Sequence, residues 1–265
     1  MKIAFVRKTY TPYGGAERYL SQLIQRLGRE GHEVHIFANR WEVKGKGVRS
    51  GEERDPIYHH VPVVPSPSFL EVLSFAFFSK RLLQEERFDI IHSFERTLYQ
   101  DIYRAGDGCH REWLRQRRKM DSWVKRLSHP LNPHHRSLLF LEKRLFQSPR
   151  LKRIIANSRR GKEEIRRHYG VAEEKIEVIY NGVDLEVFNP KNIPLYREPI
   201  RKELGIDPQA FVILFLGSGF RRKGLDPLME AFARAREKMP GAILAVAGKD
   251  RTKRYREKAR RLGME

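Results

Sequence analysis

The feature that most constrains the fold is a unit that opens the chain and restarts late in it: an unbroken apolar run, a glycine-containing loop, a one-sided helical pattern and a second apolar run. Ile3, Ala4, Phe5 and Val6 form the first run, and a short run without alternation suits a parallel strand buried on both faces. Thr11-Pro12-Tyr13-Gly14-Gly15 reads as a loop. Over residues 16–29, Tyr19, Leu20, Leu23, Ile24 and Leu27 make a stripe at helical period, and Gly31 supplies a C-terminal stop. Val34, Ile36 and Ala38 then alternate as a second strand. This order is the opening of a doubly wound α/β domain.

Further along, residues 79–87 carry a helical pattern and residues 89–92 a short strand. Residues 153–156 form another strand, followed by a helix that Asn157 or Ser158 caps. Residues 176–180 add one more before Asn181-Gly182 turns the chain. Residues 189–199, with Pro190, Pro194 and Pro199, read as a linker. The pattern then restarts with a strand over 211–216, a basic glycine loop over 217–224, a helix over 227–238, a strand over 242–247 and a basic helix from Arg251. About 70 residues follow the linker, against the roughly 100 to 150 of a freestanding domain.

A chain of 265 residues that is 40% hydrophobic has enough apolar material for a core, which excludes wholesale disorder. The single cysteine, Cys109, forms no intrachain disulfide, and no Cys/His spacing suggests zinc, which together favour a reducing compartment. Arg7 and Lys8 end the first apolar run too early for a signal peptide, and the greasiest stretch, residues 69–78, contains Glu71 and is half a membrane span. A cytoplasmic chain is the expectation. Lysine and arginine number 53 against 33 acidic residues, a formal charge of +20. That balance favours phosphorylated substrates, anionic lipid or nucleic acid, without choosing among them.

Three segments narrow the choice: Pro12-Tyr13-Gly14-Gly15-Ala16-Glu17-Arg18; the run from Ile154-Ile155-Ala156-Asn157-Ser158 through Lys175-Ile176-Glu177-Val178-Ile179 to Tyr180-Asn181-Gly182-Val183-Asp184; and Gly217-Ser218-Gly219-Phe220-Arg221-Arg222-Lys223-Gly224. Together they resemble the retaining glycosyltransferases of family four, and the second keeps that family's order and spacing best. The resemblance implies an α/β protein of the GT-B type, with two Rossmann-like domains facing across a cleft and the second incomplete. Residues 1–183 would then be the acceptor-binding domain, 184–206 a linker, and 207–265 part of the nucleotide-sugar-binding domain. The usual rivals lack their marks: no G-x-G-x-x-G follows the first strand, Arg40-Trp41 stands where an acidic residue would end the second, and no G-K-[ST] closes the late glycine loop.

In such enzymes a nucleoside diphosphate leaves, so negative charge grows on its bridging oxygen and fixed donors must meet it there. Arg222 and Lys223, on a loop between a strand and a helix, are the expected diphosphate contacts; a solvated basic loop is the alternative. Gly14 and Gly15 let the first helix's N-terminus approach the same diphosphate, since a side chain there blocks close contact. Within the family, Tyr103-Arg104-Ala105-Gly106-Asp107-Gly108-Cys109 is most similar to the lipopolysaccharide-core glucosyltransferases. By that likeness Asp107 is the catalytic candidate, orienting the donor sugar or acceptor hydroxyl or taking a proton, whereas a turn aspartate is the ordinary reading. His92 follows a strand as in the family but lacks the second histidine two places on, where Phe94 stands, and is not expected to be catalytic.

Residues 110–127 combine Trp113, Met120, Trp123, Val124 and Leu127 at helical spacing with Arg111, Arg115, Arg117, Arg118, Lys119, Lys125 and Arg126. A basic amphipathic helix with two tryptophans describes an interfacial membrane binder, with Trp113, Arg117, Arg118, Lys119 and Trp123 at the surface. Family members carry two glutamates eight positions apart late in the second domain, and no residues here fill that role, so the chain is expected to be truncated and weakly active or inactive. The expected function is hexose transfer, with retention, from a UDP-, GDP- or ADP-linked sugar to a saccharide or glycolipid acceptor in envelope polysaccharide or lipopolysaccharide-core synthesis. No metal is required in this reading, an anionic membrane surface is an expected partner, and nucleic acid is not. The alternative is a non-catalytic remnant that binds anionic lipid or nucleic acid through its basic surface.

Overall fold

The computed structural model describes residues 1–10, 15–41, 55–121, 123 and 129–264. The chain divides into two compact units, Met1–Gly182 and Val183–Glu265.

The first unit is built on a seven-stranded parallel sheet. Its strands are β1 (Lys2–Val6), β3 (Glu33–Ala38), β5 (Ile57–His60), β6 (Ile90–Ser93), β7 (Ile102–Ala105), β8 (Arg153–Ala156) and β9 (Ile176–Val178), in the order β5-β3-β1-β6-β7-β8-β9. Two-residue strands β2 (Thr9–Tyr10) and β4 (Arg40–Trp41) pair beside it. Val6 lies between Phe37 of β3 and Ser93 of β6, so the strand order reverses at β1. In an open sheet of this type, ligands bind at the carboxyl ends of the strands beside such a reversal.

Helix α1 (Gly15–Arg29) lays Leu20 and Ile24 on one sheet face, against Ile3, Phe5 and Ile36. Helix α2 (Ser68–Gln84) covers the other face, where Phe75 and Leu83 meet Val6, Phe37 and Ile91. It absorbs the apolar stretch 69–78 and begins well before the helix expected at 79–87. Apolar residues lie on several of its sides, Phe75 sealed and Phe77 57% exposed, so no single stripe marks it. Helix α3 (His110–Met120) stops short of the expected residue 127, because Asp121 is extended and its carboxylate accepts from Arg117 Nε at 3.1 Å and His129 Nε2 at 2.8 Å. Residues 122 and 124–128 lie outside the described set, so the expected contributions of Val124, Lys125, Arg126 and Leu127 do too. Helix α4 (Pro133–Phe146) begins at Asn132, whose side chain accepts from the backbone of His134 and His135. With α5 (Arg159–Tyr169), capped by Ser158, it closes a third cluster around Leu145, Leu151, Ile154 and Ile165.

In the second unit the expected linker is in large part helix. A 3-10 turn at Pro190–Asn192 leads into α6 (Ile193–Glu203). Pro194 sits in the first turn, where a missing N–H costs nothing, and Pro199 is accommodated inside the helix. Beyond it, β10 (Val212–Leu216) and β11 (Ile243–Ala247) pair in parallel, with Val212 beside Ile243 and Leu216 beside Ala247. Helices α7 (Leu225–Arg236) and α8 (Lys253–Arg261) pack on them through Phe220, Leu225, Met229 and Tyr255. Among the described residues no helix is long and apolar enough to cross a membrane.

Candidate functional site

The carboxyl ends of the first unit's strands deliver Arg7 after β1, Phe94 and Glu95 after β6, Gly106 and Asp107 after β7, Asn157 after β8 and Asn181 after β9. With Arg104, the last but one residue of β7, all of these except Glu95 line one cavity of about 180 Å³. Asp107 stands exposed at it. Asn157 Nδ2 donates to the Gly106 carbonyl at 2.9 Å, which ties the Asp107 turn to β8. Arg7 Nη1 lies 3.3 Å from Glu95 Oε1, and the Lys8 N–H donates to the same oxygen at 3.2 Å. Burial raises the Glu95 pKa, with Arg7 opposing the rise. The Arg104 guanidinium sits over the Tyr19 ring, 3.6 Å from its centroid, and donates through Nη2 to Asn181 Oδ1.

The Asp107 turn is held from behind by Glu142, which is sealed inside the unit. Its Oε1 accepts from Arg96 Nε at 3.0 Å and from the His110 N–H at 2.7 Å, its Oε2 from the Arg111 N–H at 3.2 Å, and Tyr169 donates to it as well. Glu142 thus satisfies the first backbone donors of α3 and places a negative charge at that helix's positive end. Gly108 takes φ +68° in the same turn, which lets the chain reverse before α3. Cys109 is buried, and burial pushes its thiol pKa up, so it packs as a small apolar side chain. His92 is also buried, stacked on Phe94 at 4.7 Å; burial, with Arg104 nearby, lowers its pKa to about 3. It does not line the cavity.

In the second unit, residues 217–224 form the basic loop between β10 and α7. Buried Phe220 pins it, while Arg221, Arg222 and Lys223 are exposed. The Phe220 N–H donates to Asp250 Oδ2 at 2.6 Å, and the Lys249 N–H donates to Ser218 Oγ at 3.3 Å. These bonds tie the loop to the one after β11. Backbone donation from Arg251 and Phe220 holds the Asp250 carboxyl below its usual range. Gly248 has φ +146°, and a Cβ there would stand 2.0 Å from the Gly217 carbonyl oxygen, so no larger residue fits this approach.

Among the other expected site residues, Gly14 lies outside the described set, and Gly15 is the first residue of α1. Trp113 is 39% and Trp123 72% exposed, while Leu114 and Glu112 face inward. Arg117 lies 4.9 Å from the centroid of the Trp113 ring, and Arg118 and Lys119 are exposed beside it. Sequence reasoning missed Arg104, Glu142 and Asp250. It also missed that His35, His59 and Glu86 converge near the amino-terminal ends of the strands. There His35 Nδ1 meets His59 Nε2 at 2.7 Å and His35 Nε2 meets Glu33 at 2.7 Å. The Lys2 ammonium, paired with both Glu86 and Glu33, already supplies a cation to those carboxylates.

Comparison with known proteins places this architecture. Residues 13–187 match the family described as Glycosyltransferase Family 4, and residues 196–265 match Glycosyl transferases group 1. The lipopolysaccharide glucosyltransferase WaaG of Escherichia coli (strain K12) is 24% identical over 265 residues, covering 100% of this chain and 67% of its own. A D-inositol 3-phosphate glycosyltransferase of Pseudarthrobacter chlorophenolicus is 26% identical over 250 residues, covering 86% of this chain and 55% of its own. The crystal structure of WaaG, a glycosyltransferase involved in lipopolysaccharide biosynthesis, superposes with a TM-score of 0.83 at 24% identity, over 99% of this chain and 67% of that one. A Rickettsia africae glycosyltransferase structure gives 0.57 at 18% identity, covering 98% of this chain and 63% of that one. This chain therefore spans between about half and two thirds of these relatives. The reversal at β1, the cavity at the strands' carboxyl ends and the glycine-framed basic loop are carried on the WaaG-type GT-B fold, and the chain belongs to glycosyltransferase family 4.

Proposed function

We propose that the reaction this chain serves is its family's, transfer of a hexose from a nucleoside-diphosphate sugar to a saccharide or glycolipid acceptor of the cell envelope, with retention at the anomeric carbon, and that its residues supply binding contacts for that reaction. The lipopolysaccharide role named for WaaG is the basis for choosing an envelope acceptor. The observation that carries the reading is the basic loop: Arg222 and Lys223 project from a strand-to-helix turn that Phe220, Asp250 and the Gly217–Gly248 approach hold in place. Such a turn suits a diphosphate, because fixed cations beside a helix N-terminus need little reorganisation as charge develops.

In the transfer, the bond from the anomeric carbon to the diphosphate oxygen breaks with its electron pair, and the acceptor oxygen bonds to that carbon. Arg222 and Lys223 stabilise the departing diphosphate, in the place a divalent ion takes in other transferases. By the family resemblance, Gly14 and Gly15 are further contacts to the diphosphate. Asp107, exposed at the cavity of the first unit, takes the acceptor hydroxyl's proton, or orients that hydroxyl while the proton passes to the departing diphosphate oxygen. Trp113, Trp123, Arg117, Arg118 and Lys119 rest the protein on the anionic inner face of the cytoplasmic membrane, where the acceptor is held. Calorimetric titration with UDP-, GDP- and ADP-hexoses tests the reading. One of them is expected to bind saturably, and failure of all three to bind overturns it.

A further inference from the structure

We propose that the cavity at the carboxyl edge of the first unit recognises an anionic substituent, a phosphate or carboxylate, on the acceptor, and that Arg104 is its specificity-determining contact. The assignment to the acceptor rests on the proposed function; the anion site itself does not.

Arg104 is 4% exposed, and its guanidinium stays charged at any physiological pH. A buried guanidinium normally has its N–H groups satisfied and a carboxylate nearby, because an isolated charge is costly to remove from water. Among the described residues, no carboxylate makes an ion pair with it. It has the neutral Asn181 amide on Nη2 and the Tyr19 ring beneath it, while Nη1 is buried with no hydrogen-bond partner. Tyr19 and Asn181 come from α1 and from the turn after β9, so the guanidinium is fixed from two sides. A fixed planar fork with an unused donor is the arrangement that grips phosphate or carboxylate oxygens.

The surroundings indicate which ligand fits. Arg7 adds a second cation to the cavity wall, and its ion pair with Glu95 keeps that carboxylate engaged. Asp107, the carboxylate that does line the cavity, is exposed, and in the proposed function it faces the acceptor hydroxyl. Arg104 and Asp107 together therefore suit a sugar with a hydroxyl near an anionic group. A volume of about 180 Å³ is below the roughly 300 Å³ at which pockets for larger ligands begin, which favours a sugar ring with its substituent over a complete nucleotide sugar.

The test is titration of the full chain with glucose, glucose 6-phosphate, glucuronate, inorganic phosphate and UDP. Glucose 6-phosphate or glucuronate is expected to bind measurably more tightly than glucose. Arg104→Gln should weaken the better of them at least tenfold and leave UDP affinity within twofold, with Arg104→Lys intermediate. Arg222→Ala should do the reverse. The comparison of glucose 6-phosphate with glucuronate separates phosphate from carboxylate, and inorganic phosphate bound as tightly as glucose 6-phosphate would mean that the sugar is not read, overturning the assignment to an acceptor. Should UDP bind nowhere while Arg104 still controls the anion, the transferase reading fails and the anion site stands. Because Arg104→Gln removes a core contact and risks misfolding, the wild-type Arg104 Nε–Hε resonance, identified by its absence from Arg104→Lys, gives an independent readout. It should shift on addition of the anionic sugar. An unshifted resonance, or equal affinity in wild type and Arg104→Gln, overturns the proposal.

Discussion

Glu142 accepts a hydrogen bond from Arg96 Nε at 3.0 Å, and the same guanidinium reaches past it to donate through Nη2 to the Gly108 carbonyl at 2.9 Å. The pair joins α4 to the turn that carries Asp107, and Glu142 also binds the first two backbone donors of α3. Removing the carboxylate leaves a buried arginine and two helix donors without their acceptor. Glu142→Ala should therefore cost about 3 to 5 kcal/mol of stability, the usual penalty for breaking one side of a buried pair. Urea unfolding at neutral pH reads the loss, and a change below about 1 kcal/mol would show that the network is dispensable.

The donor loop gives a second expectation. Arg222→Ala and Lys223→Ala should each weaken nucleoside-diphosphate binding by about 1.5 to 3 kcal/mol, the range for one charge-assisted hydrogen bond. Both side chains are exposed, so folding should be little affected. Calorimetry that finds unchanged affinity in both variants removes the loop from the donor site.

The parts of the molecule that the sequence disclosed share a physical signature. Ile3 to Val6 and the stripe Tyr19, Leu20, Leu23, Ile24 and Leu27 announce themselves because local periodicity and burial agree there. Helix α6 is masked by Pro194 and Pro199 within it and Pro190 just before it, since proline content signals a break while its position decides whether a helix tolerates it. Helix α4 and strand β7 are hard to read because their apolar residues are interrupted by charges that turn out to be buried: Glu142, paired with Arg96, in one, and Arg104, bonded to the neutral Asn181 amide, in the other. A buried charge looks like a surface residue until its partners, tens of positions away, are in view. The same holds for Asp250, which supports the basic loop from 30 residues downstream. Asp107 and the Arg222–Lys223 pair are legible through resemblance, whereas the cavity wall needs the strand order.

Helix α3 makes a third expectation. Its exposed tryptophan Trp113 stacks with Arg117, and Arg118 and Lys119 are exposed on the next turn of the same helix. Near an anionic bilayer each such cation contributes about 1 kcal/mol, an attraction that salt screens. The protein should sediment with vesicles containing anionic lipid, release at high salt, and bind neutral vesicles weakly. Changing Arg117, Arg118 and Lys119 together to glutamine should lower the bound fraction sharply; undiminished sedimentation would place the anchor elsewhere.

The last expectation concerns acid. His92 is held neutral in the fold, because burial and the nearby Arg104 charge lower its pKa from 6.5 to about 3. The unfolded chain takes up a proton near pH 6.5 that the folded chain refuses until about pH 3. Its stabilising contribution is therefore complete above pH 6.5 and is lost as the pH falls through that window. At roughly 1.4 kcal/mol for each pH unit crossed, about 2 to 3 kcal/mol is gone by pH 4.5. His110, lowered to about 4 by burial, works in the same direction and leaves part of the slope in place. His92→Phe keeps an aromatic ring between Phe5 and Phe94 and has no proton to gain. Urea midpoints at pH 7.0 and 4.5 should thus lie closer together for His92→Phe than for the wild type. Equal acid losses in the two proteins would mean that the buried ring is not what makes the fold sensitive to acid.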